Sequence, residues 1–187
     1  MSKKSKITTS VDVVVPVYNE EEMLARSVDV LRDFLTEHLS CRWQIVIADN
    51  GSVDGTLAIA KDLSQQYPDV GYVQLEQKGR GRALRKAWLE SDADIVSYMD
   101  VDLSTRLDAF PELIRALDEG YDIAIGSRLI AGSKVINRSL KREITSRSYN
   151  LLIKAMFCSS FSDAQCGFKA VKRDVAHLGA RRVLLQW

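Results

Sequence analysis

The sequence predicts a mainly parallel α/β sheet, and three observations carry that prediction. Five short apolar, β-branched runs alternate with helix-length amphipathic stretches between residues 11 and 126, the pattern of successive βαβ units. Each run stops at a cluster of turn-forming or charged residues, where open α/β sheets collect their ligands. The chain has 187 residues, 46% hydrophobic and 27% charged, enough to bury one core and ordinary for a globular domain.

In chain order, residues 11–17 form a mostly β-branched first strand stopped by Pro16. Tyr18-Asn19-Glu20-Glu21-Glu22 then opens a helix running to about residue 38, its acidic first turn suited to the helix dipole. The second strand, 43–48, ends in Asp49-Asn50-Gly51-Ser52, a turn sequence. A helix follows Asp54-Gly55-Thr56 and reaches residue 66, and 70–75 is the third strand. Residues 79–90 start rich in glycine and continue as a basic helix with Leu84, Ala87 and Trp88 on one side. The fourth strand begins at Ile95 and runs into Asp100-Val101-Asp102-Leu103-Ser104. A helix over 107–119 and a fifth strand over 121–126 complete the regular part. Residues 131–140 read as a mobile polar loop. The stretch 141–157 reads as a helix whose apolar stripe fits core packing or an anionic membrane surface.

Charge is divided unevenly. Residues 1–125 hold 14 Lys and Arg against 22 Asp and Glu, whereas 126–187 hold 12 against 3, for a net charge of +1. A basic final third on an acidic domain suits an anion site or an inert dipolar surface equally well. Cys41, Cys158 and Cys166 lack metal-ligand spacing and read as reduced thiols of a cytoplasmic protein. The start of the chain has no apolar signal segment, and no run approaches the roughly 20 apolar residues of a spanning helix.

Right-handed crossovers place the ends of the parallel strands on one edge. Pro16, Tyr18, Glu20, Asp49, Ser52, Asp100, Asp102 and Arg128 are therefore expected around one crevice. Two carboxylates one residue apart repel unless a cation lies between them. All-oxygen ligands suit Mg²⁺ or Mn²⁺, which commonly completes its shell with substrate phosphate. The plain alternative is a polar turn with solvated aspartates. Lys78-Gly79-Arg80-Gly81-Arg82 has the glycines of a phosphate-cradling loop, though neither a dinucleotide nor a P-loop fingerprint. Arg142 and Ser146, four apart on one helix face, and Arg128 have the chemistry of a phosphate clamp, or of a solvated basic face. Asp163-Ala164-Gln165-Cys166-Gly167-Phe168-Lys169 is a second wall of the crevice, or a turn before another strand.

Taken together and in order, Val15-Pro16-Val17-Tyr18-Asn19-Glu20, Asp49-Asn50-Gly51-Ser52, Asp54-Gly55-Thr56, Lys78-Gly79, Asp100-Val101-Asp102, Gly126-Ser127-Arg128 and 163–169 resemble family 2 glycosyltransferases. The branch they resemble most is that of the dolichyl- and polyprenyl-phosphate mannosyl- and glucosyltransferases. The resemblance implies a GT-A fold, a Rossmann-like, doubly wound, mainly parallel sheet with helices on both faces, as a single domain over 1–187. It implies that Pro16, Tyr18, Glu20, Asp49, Ser52, Lys78, Gly79 and Asp100 line the nucleotide. It assigns the metal to Asp100, Asp102 and Ser104, the last standing where close relatives often carry Gln. Arg128, Arg142, Ser146 and Lys169 fall at the acceptor-phosphate site, and Asp102 and Arg128 are the implied catalytic residues. Relatives continue into a segment of Trp-x-Phe-Asp-x-Glu character, and its lack before Trp187 predicts a truncated C-terminus.

The expected reaction is metal-dependent and inverting, moving a hexose from a nucleotide-sugar donor (GDP-mannose or UDP-glucose type) to polyprenyl or dolichyl phosphate. A Gln-x-x-Arg-Trp signature of processive synthases is lacking. The expected location is cytoplasmic, with peripheral contact to the inner membrane face, and no nucleic-acid partner is expected. Two alternatives accompany this reading. One is a nucleotide-sugar binder without turnover. The other is a haloacid-dehalogenase-type phosphohydrolase, whose Asp-x-Asp-x-Ser/Thr loop the segment 100–104 imitates, although that family places its loop after the first strand.

Overall fold

A computed structural model describes residues 9–126, 168–178 and 183–186 of the chain. The strands are β1 (Ser10–Val17), β2 (Arg42–Asn50), β3 (Val70–Leu75), β4 (Ile95–Met99), β5 (Ile123–Gly126), β6 (Phe168–Lys172) and β7 (Val183–Gln186). The helices are α1 (Leu24–His38), α2 (Thr56–Gln66), α3 (Arg80–Glu90), α4 (Phe110–Asp118) and α5 (Arg173–Leu178), with a 3₁₀ turn over Leu107–Ala109 before α4. The described strands make one sheet in the order β3-β2-β1-β4-β6-β5-β7. Only β6 runs against the rest, pairing antiparallel with both β4 and β5. The sheet is thus mainly parallel, as the βαβ pattern predicts.

Strand alternation explains how both faces are covered. Val11, Val13, Val15 and Val17 of β1 join one core with Leu24, Val28, Leu31 and Leu35 of α1, Ala60 and Leu63 of α2, and Phe110, Leu113 and Leu117 of α4. Val14 points the other way and meets Ala48, Ala83 and Ala87 in a smaller cluster under α3, with Leu84 and Trp88 packed on its margin. The Trp88 indole Nε1 also donates to the Ser97 carbonyl at 3.1 Å, fastening α3 to β4. Helices therefore lie on both faces.

Element boundaries differ from the sequence reading where the backbone has other partners. The first helix starts at Leu24 rather than near Glu20. The Glu20 carbonyl accepts the Met23 and Leu24 N–H groups at 3.2 and 3.0 Å, making a turn, while the residues around it bind across to the next loop. Strand β2 extends from 43–48 to Arg42–Asn50 because β1 pairs it from Ser10↔Arg42 to Val17↔Asp49 and β3 pairs it as far as Asn50↔Leu75. The fifth strand starts at Ile123, not Tyr121. The Tyr121 N–H is taken by the Ala116 carbonyl at 3.2 Å, after Gly120 turns the chain at φ 108°, a helix-ending arrangement in which glycine costs nothing. The predicted loop 131–140 and helix 141–157 lie outside the described residues.

Candidate functional site

The C-terminal ends of β1, β2, β3 and β4 share one sheet edge, and the loops that leave them are bonded in series. At β1, Asn19 takes φ 54°, a left-handed conformation that Asn tolerates better than most residues. Its N–H donates to Ser52 Oγ at 3.1 Å, and its own Oδ1 accepts the Val53 N–H at 3.0 Å. The Glu20 N–H donates to Thr56 Oγ1 at 2.8 Å, and Glu21 Oε2 accepts the Gly55 N–H at 2.6 Å. Glu21 is therefore spent on the β2–α2 loop, not on the start of α1.

The second loop joins the third in the same manner. Asn50 Oδ1 accepts the Gly79 N–H. Gly51 has φ +73°, and a Cβ there would lie 3.3 Å from both the Glu76 carbonyl oxygen and the Lys78 nitrogen. A side chain would meet backbone on two sides, so glycine lets these loops touch. Above the contact, Lys78 Nζ stands 3.7 Å from the centroid of the Tyr18 ring, within cation–π range. Asp49 is fully buried, and its two oxygens face the Ser52 N–H at 3.3 and 3.4 Å. It behaves as a turn aspartate, while Asp54 Oδ1 accepts the N–H of Thr56, the first residue of α2, at 3.0 Å.

The fourth loop carries the acidic pair. The Leu103 N–H donates to the Asp100 carbonyl at 3.1 Å and the Ser104 N–H to Asp102 Oδ1 at 3.0 Å. Leu103 takes φ 47° to close this turn, uncommon for a bulky residue and costly by about 1–2 kcal/mol. The Asp100 carboxylate is 24% exposed, and Asp102 is exposed. Tyr98 is buried in β4 at 8% exposure, and its hydroxyl donates to Asp100 Oδ1 at 2.8 Å. The same oxygen is paired with the Arg80 guanidinium. The Arg80 Cζ lies 5.2 Å and Lys169 Nζ 5.7 Å from the centroid of the Tyr98 ring. Register explains the lysine, because Lys169 of β6 sits opposite Tyr98 of β4.

Of the residues expected at the site, Pro16, Tyr18, Glu20, Asp49, Ser52, Lys78, Gly79, Asp100, Asp102, Ser104 and Lys169 lie on this rim or beside it. Pro16 and Asp49 are buried beneath it. Arg128, Arg142, Ser146 and Asp163 lie outside the described residues. The sequence reading assigned no role to Arg80 or Tyr98. A signal for Arg80 was present as the second basic residue of Lys78-Gly79-Arg80-Gly81-Arg82, and for Tyr98 as its place two residues before Asp100, on the same face of an extended chain. Among the described residues no group of three or more His, Cys, Asp or Glu converges on a metal position. The donor set is two carboxylates with a guanidinium already on one of them. Two carboxylates have the oxygen chemistry of a hard divalent cation that takes its remaining ligands from substrate and water, and such an ion would have to share Asp100 with the guanidinium.

Three comparisons bear on the site. The profile of "Glycosyl transferase family 2" matches residues 12–179. The glycosyltransferase AglD of Haloferax volcanii is 34% identical over 167 residues, 88% of this chain and 27% of that protein. A dolichol-phosphate mannosyltransferase of Pyrococcus furiosus is 32% identical over 167 residues, 88% of this chain and 47% of that protein. The chain thus spans about half or less of the length of these curated relatives. The glucosyl-3-phosphoglycerate synthase of Mycobacterium tuberculosis, solved with Mn²⁺ and UDP-glucose, has a TM-score of 0.64 at 20% identity, covering 95% of this chain and 68% of that one. That likeness carries the GT-A fold. In this chain the acidic loop follows the fourth strand, where the phosphohydrolase alternative requires the first.

Proposed function

Because the chain belongs to glycosyltransferase family 2, we propose that it transfers a hexose from a nucleotide sugar to a polyprenyl or dolichyl phosphate. The observation that carries this reading is the serial bonding of four strand-end loops into one rim that finishes at Asp100. Such a rim has a place for each part of a nucleotide sugar. The stacked Tyr18 and Lys78 offer an aromatic face and a cation to base and ribose, with Glu20, Ser52 and Gly79 beside them and Asp49 beneath. Asp100 and Asp102, with Ser104 next to them, would hold Mg²⁺ or Mn²⁺. The ion, when bound, neutralises the diphosphate and makes it a better leaving group.

The residues of the chain do the rest by positioning. A lipid phosphate monoester has a second pKa near 6 and is already ionised at neutral pH. It needs no general base, only cationic groups that hold it in line with the anomeric carbon. We assign that task to Arg128, Arg142, Ser146 and Lys169, of which Lys169 stands beside Tyr98 at the edge of the acidic loop. A single in-line displacement inverts the anomeric centre. The same acceptor implies a peripheral stance on the cytoplasmic membrane face, and no helix among the described residues is long and apolar enough to cross a membrane.

A thermal-shift series with UDP and GDP, each with and without Mn²⁺, tests the reading. One diphosphate should raise the melting temperature only when Mn²⁺ is present, and Asp100→Asn should lose that increment. Incubation with the matching UDP-glucose or GDP-mannose and dolichyl phosphate should then yield the glycolipid. An Asp100→Asn protein that keeps the full metal-dependent shift would overturn the metal assignment. A wild-type protein that binds the donor and never transfers would overturn the transferase.

A further inference from the structure

Two cations claim one oxygen at the end of β4. Arg80, the first residue of α3, pairs its guanidinium with Asp100 Oδ1, and that oxygen also belongs to the donor set assigned above to a divalent ion. The arginine side chain is 60% exposed and the carboxylate 24%, and the carboxylate is further fixed by the Tyr98 hydroxyl at 2.8 Å. The aspartate is therefore the stationary partner and the arginine the one that can leave. It has somewhere to go. The N-terminus of an 11-residue helix favours anions, and a diphosphate offers a guanidinium paired acceptors with more negative charge than one carboxylate.

We propose that Arg80 is a built-in counter-cation that competes with the divalent ion for Asp100 and is drawn off by the nucleoside diphosphate. Ion and nucleotide then bind cooperatively. Without nucleotide, the ion must displace a guanidinium and remain near its positive charge. With nucleotide, the diphosphate takes the guanidinium, and Asp100 is given up to the ion. Linkage requires the effect to be mutual, so the ion tightens the nucleotide by the same factor as the nucleotide tightens the ion. The proposal rests on the metal and nucleotide reading above and adds the order in which the charges are exchanged.

The test is a Mn²⁺ titration followed by electron paramagnetic resonance of the free ion, with no turnover involved. Wild type, Arg80→Gln, Arg80→Lys and Asp100→Asn are each titrated alone and with saturating UDP or GDP. Removing a partly exposed pair should tighten Mn²⁺ alone by about two- to fivefold in Arg80→Gln. In that variant, the extra tightening on adding nucleotide should shrink, whereas Arg80→Lys, which keeps the charge, should stay near wild type. If Arg80→Gln binds Mn²⁺ no more tightly than wild type while Asp100→Asn loses it, the competition is overturned and the metal site stands. If neither wild type nor Arg80→Gln binds Mn²⁺ with either diphosphate, or Asp100→Asn binds it as wild type does, the metal reading falls and the competition with it. Thermal melts of the four proteins confirm that each is folded.

Discussion

Asp12 shows how much a single position in a parallel strand has to reconcile. It stands in β1 between Gln44 of β2 and Val96 of β4, half-buried, with its carboxylate accepting from Ser91 Oγ at 2.6 Å. Burial pushes its pKa above the ordinary carboxylate value, outweighing the hydrogen bond from Ser91 and the nearby Arg42, with Asp92 adding to the rise. The folded state thus holds a proton over a pH interval in which the unfolded chain has released it. Stability falls as pH rises from the ordinary value to the raised one, and the deficit persists above it. Asp12→Asn keeps an acceptor for Ser91 and removes the charge. Its melting temperature should exceed wild type at neutral pH, with the gap closing below the ordinary carboxylate pKa. An equal or lower melting temperature at neutral pH would contradict the burial argument. Asp94 has the opposite sign: the N–H and hydroxyl of Ser10 donate to it at 2.9 and 2.8 Å and hold its pKa down. Its contribution is present at neutral pH and is lost as pH falls through that lowered value.

Among the elements, α3 joins packing most directly to the site. It approaches the sheet through Ala83 and Ala87, exposed 0% and 3%, which sit against Val14 and Ala48. Small residues bring the helix axis close to the strands, so that Arg80 at its first position reaches Asp100. Ala83→Leu would overpack this face and should cost about 1–3 kcal/mol in urea denaturation. A cost near zero would mean that α3 is not seated on the sheet as described. The large residues of the sequence reading, Leu84 and Trp88, lie at the margin of this contact. Ala87, named with them, sits at the centre, while Ala83 went unnamed because close approach selects for small volume and not for apolarity.

Across the whole molecule, β6 is the strand on which closure of the sheet depends. It comes from the far end of the chain and inserts between β4 and β5, antiparallel to both. Phe168 is 1% exposed, its ring 6.0 Å from that of Phe110 of α4 at a tilt of 56°, and it lies where a Cβ on Gly126 of β5 would collide with it. One side chain thus holds β5, β6 and α4 together. Phe168→Ala should destabilise the fold by about 3–5 kcal/mol, measured as a lower urea midpoint. A loss below 1 kcal/mol would show that β6 is peripheral to the cooperative unit.

The sequence by itself determined what depends on near neighbours: which runs are strands, where they stop, and that an acidic pair stands at the end of the fourth. Val11 to Val17 and Ile95 to Met99 are recognisable from composition alone, because burial on both faces demands apolar residues whatever the partners. Tertiary structure alone decided the strand order and the reversed β6. It also tied Glu21 to Gly55, set Asn50 against Gly79, and placed Arg80 on Asp100. These contacts join residues from about 20 to more than 30 positions apart, or strands from opposite ends of the chain. No local pattern encodes them, since a polar or basic residue in a loop looks the same whether it meets water or another loop.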